Sequence, residues 1–389
     1  GTQNKLSILI ALAALAMIGF GLPTGVLSVA WPSISDTFGV AVTSLGTVVA
    51  AYTVGYTISS FSSGWLLRVS SFGLFLTFGA AVSGLGYVAF AFVPSWWFLL
   101  AVSATAGAGH GYLDTGINLY AATKLSARAT NWIHAFFGLG SLGGSSMMTG
   151  ILLVGIGWEW GYGIVAAPFI VLIFGFIATR SRWSTTEIHE QDESQEVAAA
   201  GTFETLRVPG VWMGIAAFVL HTALEVAAGV WSFTLLTEAR GLSVGSAGVW
   251  VTAYFGGLVA GRIALGTFAD KLSVSSLFRL AGVLSLLGTL LFWQFTVVEL
   301  SFVGLVLLGF GLGPIFPTLV SATPRYVGKR HTQNSMGIQM GASAIGGGLL
   351  PAGVGIIAAA VGLEAVSVSL VAFAVLMLIV LWMFDRFVR

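Results

Sequence analysis

The chain alternates long apolar runs with short polar breaks. The runs fall near 6–32, 43–67, 71–93, 96–123, 130–156, 159–179, 210–237, 245–268, 274–295, 299–322, 333–360 and 363–385. Each reaches the roughly 20 residues a helix needs to cross about 30 Å of hydrocarbon. The pattern therefore predicts an all-α polytopic membrane protein with twelve transmembrane helices. The first run is too long for the apolar core of a signal peptide and reads as a span. The longest polar segment, 180–208, separates six spans from six. It divides the chain into a bundle over 1–179, a linker over 180–208 and a second bundle over 209–389.

Twelve spans put both termini on one side, and the basic residues choose it. One set of loops and ends holds Lys5, Arg68, Lys124, Arg128, Arg180, Arg182, Arg207, Lys271, Arg279, Arg325, Lys329, Arg330, Arg386 and Arg389. The opposite loops hold only Arg240. The positive-inside rule then predicts cytoplasmic termini in a cell (inner) membrane, with the linker also cytoplasmic. Its acidic run "EIHEQDESQE" reads as a solvated segment.

The two halves share an internal repeat. "AYTVG" in span 2 returns as "AYFGG" in span 8, so that Tyr52 and Gly55 match Tyr254 and Gly257 at an offset of 202. Gly64 matches Gly266, and Gly107, Gly109 and Gly111 match Gly309, Gly311 and Gly313, at the same offset. In spans 5 and 11, Asn131, Gly138, Gly143, Gly144 and Gly150 match Asn334, Gly341, Gly346, Gly347 and Gly353 at 203. Glycine permits close helix contact. Two six-helix halves related as a parallel repeat, with a site between them at mid-membrane, is the major facilitator architecture. "GTFADKL" after span 8 fits it too: Gly266, Asp270 and Lys271 resemble that superfamily's loop signature, and a charge cluster there is expected to latch one conformation. The matching loop, "GWLLRVS", has Arg68 where the acid would stand.

Composition removes most other classes. Hydrophobic residues make up 57% and charged ones 8%, against about 25% charged in soluble domains. Mean hydropathy is +0.95. The net charge of +1 points to no nucleic-acid partner. With no cysteine and only five histidines, there is no thiolate or zinc-ligand spacing. No enzyme is expected and no cofactor or metal, only a coupling ion.

Against this background the ionisable residues inside spans stand out, because a charge at mid-bilayer costs about 2.5–3.5 kcal/mol on insertion scales. "HGYLDTGIN" sets His110, Asp114 and Asn118 on one helix face. Asp114 is an ion-coupling candidate, with a structural carboxylate as the alternative. His110 and Asn118 would complete a polar stripe facing a cavity. "HTALEVAAGVW" in span 7 offers Glu225 as the second coupling candidate, with His221 one turn before it. Trp231 would either stack on a sugar ring or pack. Asn131, His134, Asn334 and Gln339 supply further neutral or titratable groups on spans 5 and 11 for a polar, uncharged substrate. Pro314 and Pro317 predict a bend or break in span 10, read as a gating kink. Arg262 would snorkel to the interface or pair with Asp270 or another gate acid.

Several of these stretches carry a resemblance. "LDTGIN", "NWIHAFFGLGSLGG", "EVAAGVW" and "GPIFPTLVSATP…NSMGIQMGASAIGGGLLP" resemble the fucose–galactose–glucose:cation symporter branch of the major facilitators, which includes sodium-dependent glucose transporter-like proteins. By that resemblance, Asp114 falls where fucose symporters carry a helix 4 carboxylate binding the coupling ion or substrate. His134 falls near a polar residue of their helix 5 site. Glu225 looks like the helix 7 acid of the sodium/glucose-like relatives. The chain departs from the fucose symporters in span 1, where "GVLSVAWP" offers only Ser28. The expectation is a monomeric secondary transporter working by alternating access. It would symport a monosaccharide or similar small polar solute with a proton, in preference to sodium. The alternatives are proton-coupled efflux of lipophilic compounds and a non-transporting sensor on a transporter fold.

Overall fold

The computed structural model of the chain describes residues 2–124, 127–183, 201–268 and 272–388. Every regular element among them is helical. The long helices are α1 (Thr2–Phe38), α2 (Leu45–Val69), α3 (Phe72–Phe90), α4 (Trp96–Lys124), α5 (Ala127–Leu153) and α6 (Glu159–Thr179). After the linker come α7 (Pro209–Thr234), α8 (Val244–Phe268), α9 (Val274–Trp293), α10 (Val298–Leu312), α11 (Ile315–Val327), α12 (Thr332–Val361) and α13 (Ala365–Val388). Each of the twelve apolar runs contains a helix, and the tenth holds two, α10 and α11. Ten stretches of the described residues are long and apolar enough to span a membrane, with α10 and α11 counted as one. The two long helices outside that set are α2 and α4, of 25 and 29 residues. They carry the densest run of polar side chains in the first half, which lowers their hydropathy.

The chain divides into two compact units. One comprises the described residues within Gly1–Glu193 and Ser243–Gly248, the other those within Ser194–Leu242 and Val249–Arg389. In the first, α1 packs on α5, α2 and α3 on α4, and α3 on α6. In the second, α7 packs on α12, α9 on α10, and α9 on α13.

In spans 2, 4, 8 and 10 the glycine repeat is a repeat of contacts. A Cβ on Gly107 would lie 2.0 Å from the backbone oxygen of Tyr52, and one on Gly309 would lie 2.2 Å from that of Tyr254. Gly55 faces Ala104 O as Gly257 faces Val306 O, and Gly109 meets Ser83 as Gly311 meets Ser285. Every one of these partners is related by the offset of 202. Backbone therefore touches backbone where α2 crosses α4 and where α8 crosses α10, which only glycine allows. Helix starts repeat as well: Ser71 caps α3 by accepting from Leu74 N, and Ser273 caps α9 by accepting from Ser276 N.

Arg240 ties one end of the second unit together. It follows a π-helical turn, Leu235–Ala239, that extends α7. Its guanidinium donates to both carboxylate oxygens of Glu364, at 2.7 and 2.9 Å, in the loop before α13. It also donates to Phe292 O and Trp293 O, carbonyls left open at the end of α9. The hydrogen bond from Arg240 holds the Glu364 carboxyl below its ordinary value of 4.5; the Ser367 hydroxyl adds to this, while desolvation opposes it. A lowered folded value stabilises above the unfolded value and is lost as pH falls through the folded one. The Tm difference between wild type and Glu364→Gln should therefore be full at pH 7 and shrink below about pH 4.5. A difference that stays constant from pH 7 to 3 would contradict it.

Candidate functional site

Each unit contains a polar cluster built on a carboxylate within its helices, and the two differ in charge balance. In the first unit, α2 and α4 face each other through two rungs. Tyr56 OH donates to Asp114 Oδ2 at 2.6 Å, and one turn away Tyr52 OH is hydrogen-bonded to His110 Nδ1. Asn118 Nδ2 donates to the other carboxylate oxygen of Asp114 at 2.8 Å. Phe20, on α1, stacks on the His110 ring at 3.9 Å between centroids. Tyr56 meets the same ring edge-on at 5.3 Å. The predicted stripe His110–Asp114–Asn118 is therefore one connected group. Both carboxylate oxygens of Asp114 accept from neutral donors, and among the described residues no cation pairs with it. Neutral hydrogen bonds offset only part of the cost of a charge here. A bound cation would remove the rest.

In the second unit, Glu225 on α7 sits between two donors. Its Oε2 lies 3.6 Å from Arg262 Nη2 on α8 and 3.5 Å from His221 Nε2 one turn back. The side chains of His221, Glu225 and Arg262 are 1%, 16% and 9% exposed, so the charges are screened little by water. Removing one member of such a buried pair typically costs about 3–5 kcal/mol. Tyr254 OH, the repeat partner of Tyr52, donates to Glu225 O at 2.9 Å. The repeat thus keeps the tyrosine and changes its partner.

The break predicted in span 10 lies between α10 and α11, at Gly313 and Pro314. Pro317 falls in the first turn of α11, where a missing N–H is tolerated. Both carbonyls at the break have side-chain donors: His221 Nε2 donates to Leu312 O at 3.1 Å, and Arg262 Nε donates to Gly313 O at 3.2 Å. A carbonyl accepts only, so Nε2 of His221 carries the proton in this bond, and Nδ1 is buried without a partner among the described residues. Arg262 pairs with Glu225 within the unit, which corrects the expectation of snorkelling. Asp270 and Lys271 lie outside the described residues.

Trp231 and Gln339 are bonded to other groups. Trp231 is fully buried and donates its indole N–H to Pro351 O at 3.0 Å, so of its two readings the structure gives it packing. Gln339 is fully buried in a separate group, its Oε1 accepting from Tyr326 OH at 3.2 Å. His134 and Asn334 are half-buried on α5 and α12, each already engaged by a neighbouring group. Asn131 falls in α5, with its side chain outside those described. The sequence reading missed Phe20 and Tyr56 and took Tyr52 and Tyr254 only as repeat markers. Tyr52 and Tyr56 are four apart, like His110 and Asp114, and that matched spacing on packed helices was the available signal.

Comparison with known proteins decides the family. The sequence profile of the Major Facilitator Superfamily matches residues 9–234 and, again, 213–388. The chain belongs to the Major Facilitator Superfamily. It is therefore a membrane transporter of that family and not an enzyme. Among curated proteins it is similar to the galactose-proton symporter of Escherichia coli (strain K12), 28% identical over 178 residues, which are 44% of this chain and 38% of that protein. It is also similar to Bypass of stop codon protein 6 of Saccharomyces cerevisiae, 25% identical over 40% of this chain and 33% of that protein. The match thus spans little more than a third of these curated relatives. In fold, the chain resembles the D-xylose-proton symporter with TM-score 0.78 at 14% identity, covering 96% and 97% of the two chains. It also resembles the major facilitator transporter FucP with TM-score 0.68 at 15% identity, covering 98% of both.

Proposed function

We propose that this major facilitator is a secondary transporter that symports a sugar with a proton by alternating access, and that Asp114 carries the coupled ion. The observation behind this reading is the charge asymmetry of the two clusters. Arg262 balances Glu225, whereas among the described residues Asp114 has only the neutral donors Tyr56 and Asn118. A carboxylate without a counterion gains most from taking up a cation when its surroundings lose water. The similarity to a galactose-proton symporter, and in fold to a xylose-proton symporter, supports sugar as the co-substrate. A neutral polyol suits a second cluster in which Glu225 and Arg262 cancel. The basic-residue bias supports cytoplasmic termini in an inner membrane. His110, stacked on Phe20 and held by Tyr52, is the substrate-facing candidate beside the acid.

The test uses purified protein in liposomes loaded with pyranine. A proton gradient, then a sodium gradient, is imposed while galactose, xylose, fucose and glucose are added in turn. Sugar-triggered acidification of the lumen is expected. A response that needs sodium would replace the proton in this reading. Silence to every sugar, with proton flux evoked by lipophilic cations, would replace symport with efflux.

A further inference from the structure

The second cluster has no role in that scheme as an ion carrier, yet it holds three of the most costly groups in the unit. Its geometry gives it another task. In a continuous helix the carbonyl of residue 313 would accept from the N–H of residue 317. Position 317 is a proline, so Gly313 O has no helical donor. A carbonyl freed at membrane depth is tolerated only where protein or water satisfies it. Arg262 Nε supplies that bond, while Nη2 of the same guanidinium faces Glu225 Oε2. His221 Nε2 donates its one N–H to Leu312 O, with Glu225 Oε2 3.5 Å from the same nitrogen. The carboxylate thus lies beside both side chains, and their N–H groups reach adjacent carbonyls of one break. Packing closes the arrangement: Gly313 lets the break lie against α8, since a Cβ there would be 2.4 Å from Leu258 O and 2.8 Å from Arg262 N.

We propose that Glu225, Arg262 and His221 form a clamp that fixes the break between α10 and α11, with Arg262 as its central positioning residue. Arg262 works through the backbone at Gly313 and not through substrate or ion. Glu225 is the fixed counterion that makes the clamp affordable in a low-dielectric setting. The transport effects below rest on the symport reading; the backbone effects do not.

The proposal makes Arg262 and Pro317 interdependent. Pro317→Ala returns an N–H at position 317, which can serve Gly313 O and relieve Arg262 of that bond. The experiment compares wild type, Arg262→Ala, Pro317→Ala and the double variant in liposomes. Two readouts are taken: amide hydrogen exchange over residues 308–320, and initial sugar uptake. Arg262→Ala should speed exchange at the break by about tenfold, the scale of one hydrogen bond to a charged group. Uptake should fall with it. In the Pro317→Ala background the same change should alter exchange by no more than about twofold, because contacting groups are non-additive. An equal effect of Arg262→Ala in both backgrounds would overturn the clamp. If Arg262→Ala does not fold, Arg262→Lys replaces it: a single ammonium keeps a charge near Glu225 but lacks the fork that reaches both partners. Arg262→Lys should then show the same background-dependent rise in exchange, and exchange identical to wild type would count against the clamp. Background-dependent exchange with no sugar uptake even in wild type would keep the clamp and reject sugar symport. Normal wild-type uptake with unchanged exchange in Arg262→Ala would keep symport and reject the clamp.

Discussion

Asp114→Asn should abolish gradient-driven accumulation while leaving sugar exchange across the membrane. One elementary charge moving through 100 mV supplies about 2.3 kcal/mol, which is roughly 40-fold accumulation at equilibrium. The amide cannot take up a proton, so accumulation should fall to unity. The amide nearly matches the carboxylate in shape. Its oxygen can still accept from Tyr56 or Asn118, so folding should survive. Removing an unbalanced charge from an apolar surrounding also favours the folded state. The measurement is gradient-driven uptake beside equilibrium counterflow in the same liposomes. Loss of the first with retention of the second assigns coupling to Asp114. Retention of both, with unchanged pH dependence, removes Asp114 from the mechanism. Glu225→Gln separates the two acids, since it should slow exchange and uptake together by loosening Arg262 and should leave the coupling ratio intact.

The second large effect concerns assembly. Gly107→Val and Gly309→Val should each abolish the folded protein. The added Cβ would lie 2.0 Å from Tyr52 O in one case and 2.2 Å from Tyr254 O in the other. The obstacle is backbone, so no rotamer relieves it, and the crossing helices must separate. Overpacking with flexible neighbours costs about 1–3 kcal/mol; here the neighbour cannot yield, and the cost exceeds that range. Gly150 is the control, because nothing lies within 4 Å of a Cβ built there. Gly150→Ala should be neutral or stabilising by about 0.5–1 kcal/mol through helix propensity alone. Monodisperse yield in detergent and Tm would read both. A Gly107→Val protein with wild-type yield would show that the α2–α4 crossing is not the tight contact described.

Much of the architecture was legible along the chain because it follows from properties of single residues. A run of twenty apolar residues becomes a helix whatever its neighbours, since backbone groups in hydrocarbon must be satisfied within the segment. Glycine at the offset of 202 marks a close crossing at Gly107 and Gly309, whereas Gly150 and Gly353, at 203, meet nothing within 4 Å. Pro314 marked the break because the lost N–H is a local fact. The polar residues were harder. Arg262 read equally as snorkelling, as a partner for Asp270 or as a partner for another acid. Trp231 read equally as a sugar platform or as core. Tyr56, decisive for Asp114, looked like any tyrosine in an apolar helix.

By itself the sequence determined the helices, several contact points of the repeat and the residues too costly to lie in a membrane without a reason. Tertiary structure alone decided who meets whom. Tyr56 and Asp114 are 58 positions apart and touch only because α2 crosses α4. Glu225 meets Arg262 only because α7 lies beside α8. Burial of an apolar side chain is a property of one residue and its solvent, and a linear pattern records it. Charge compensation is a property of a pair at 3–4 Å and falls off steeply with distance, so it exists only once the helices are packed.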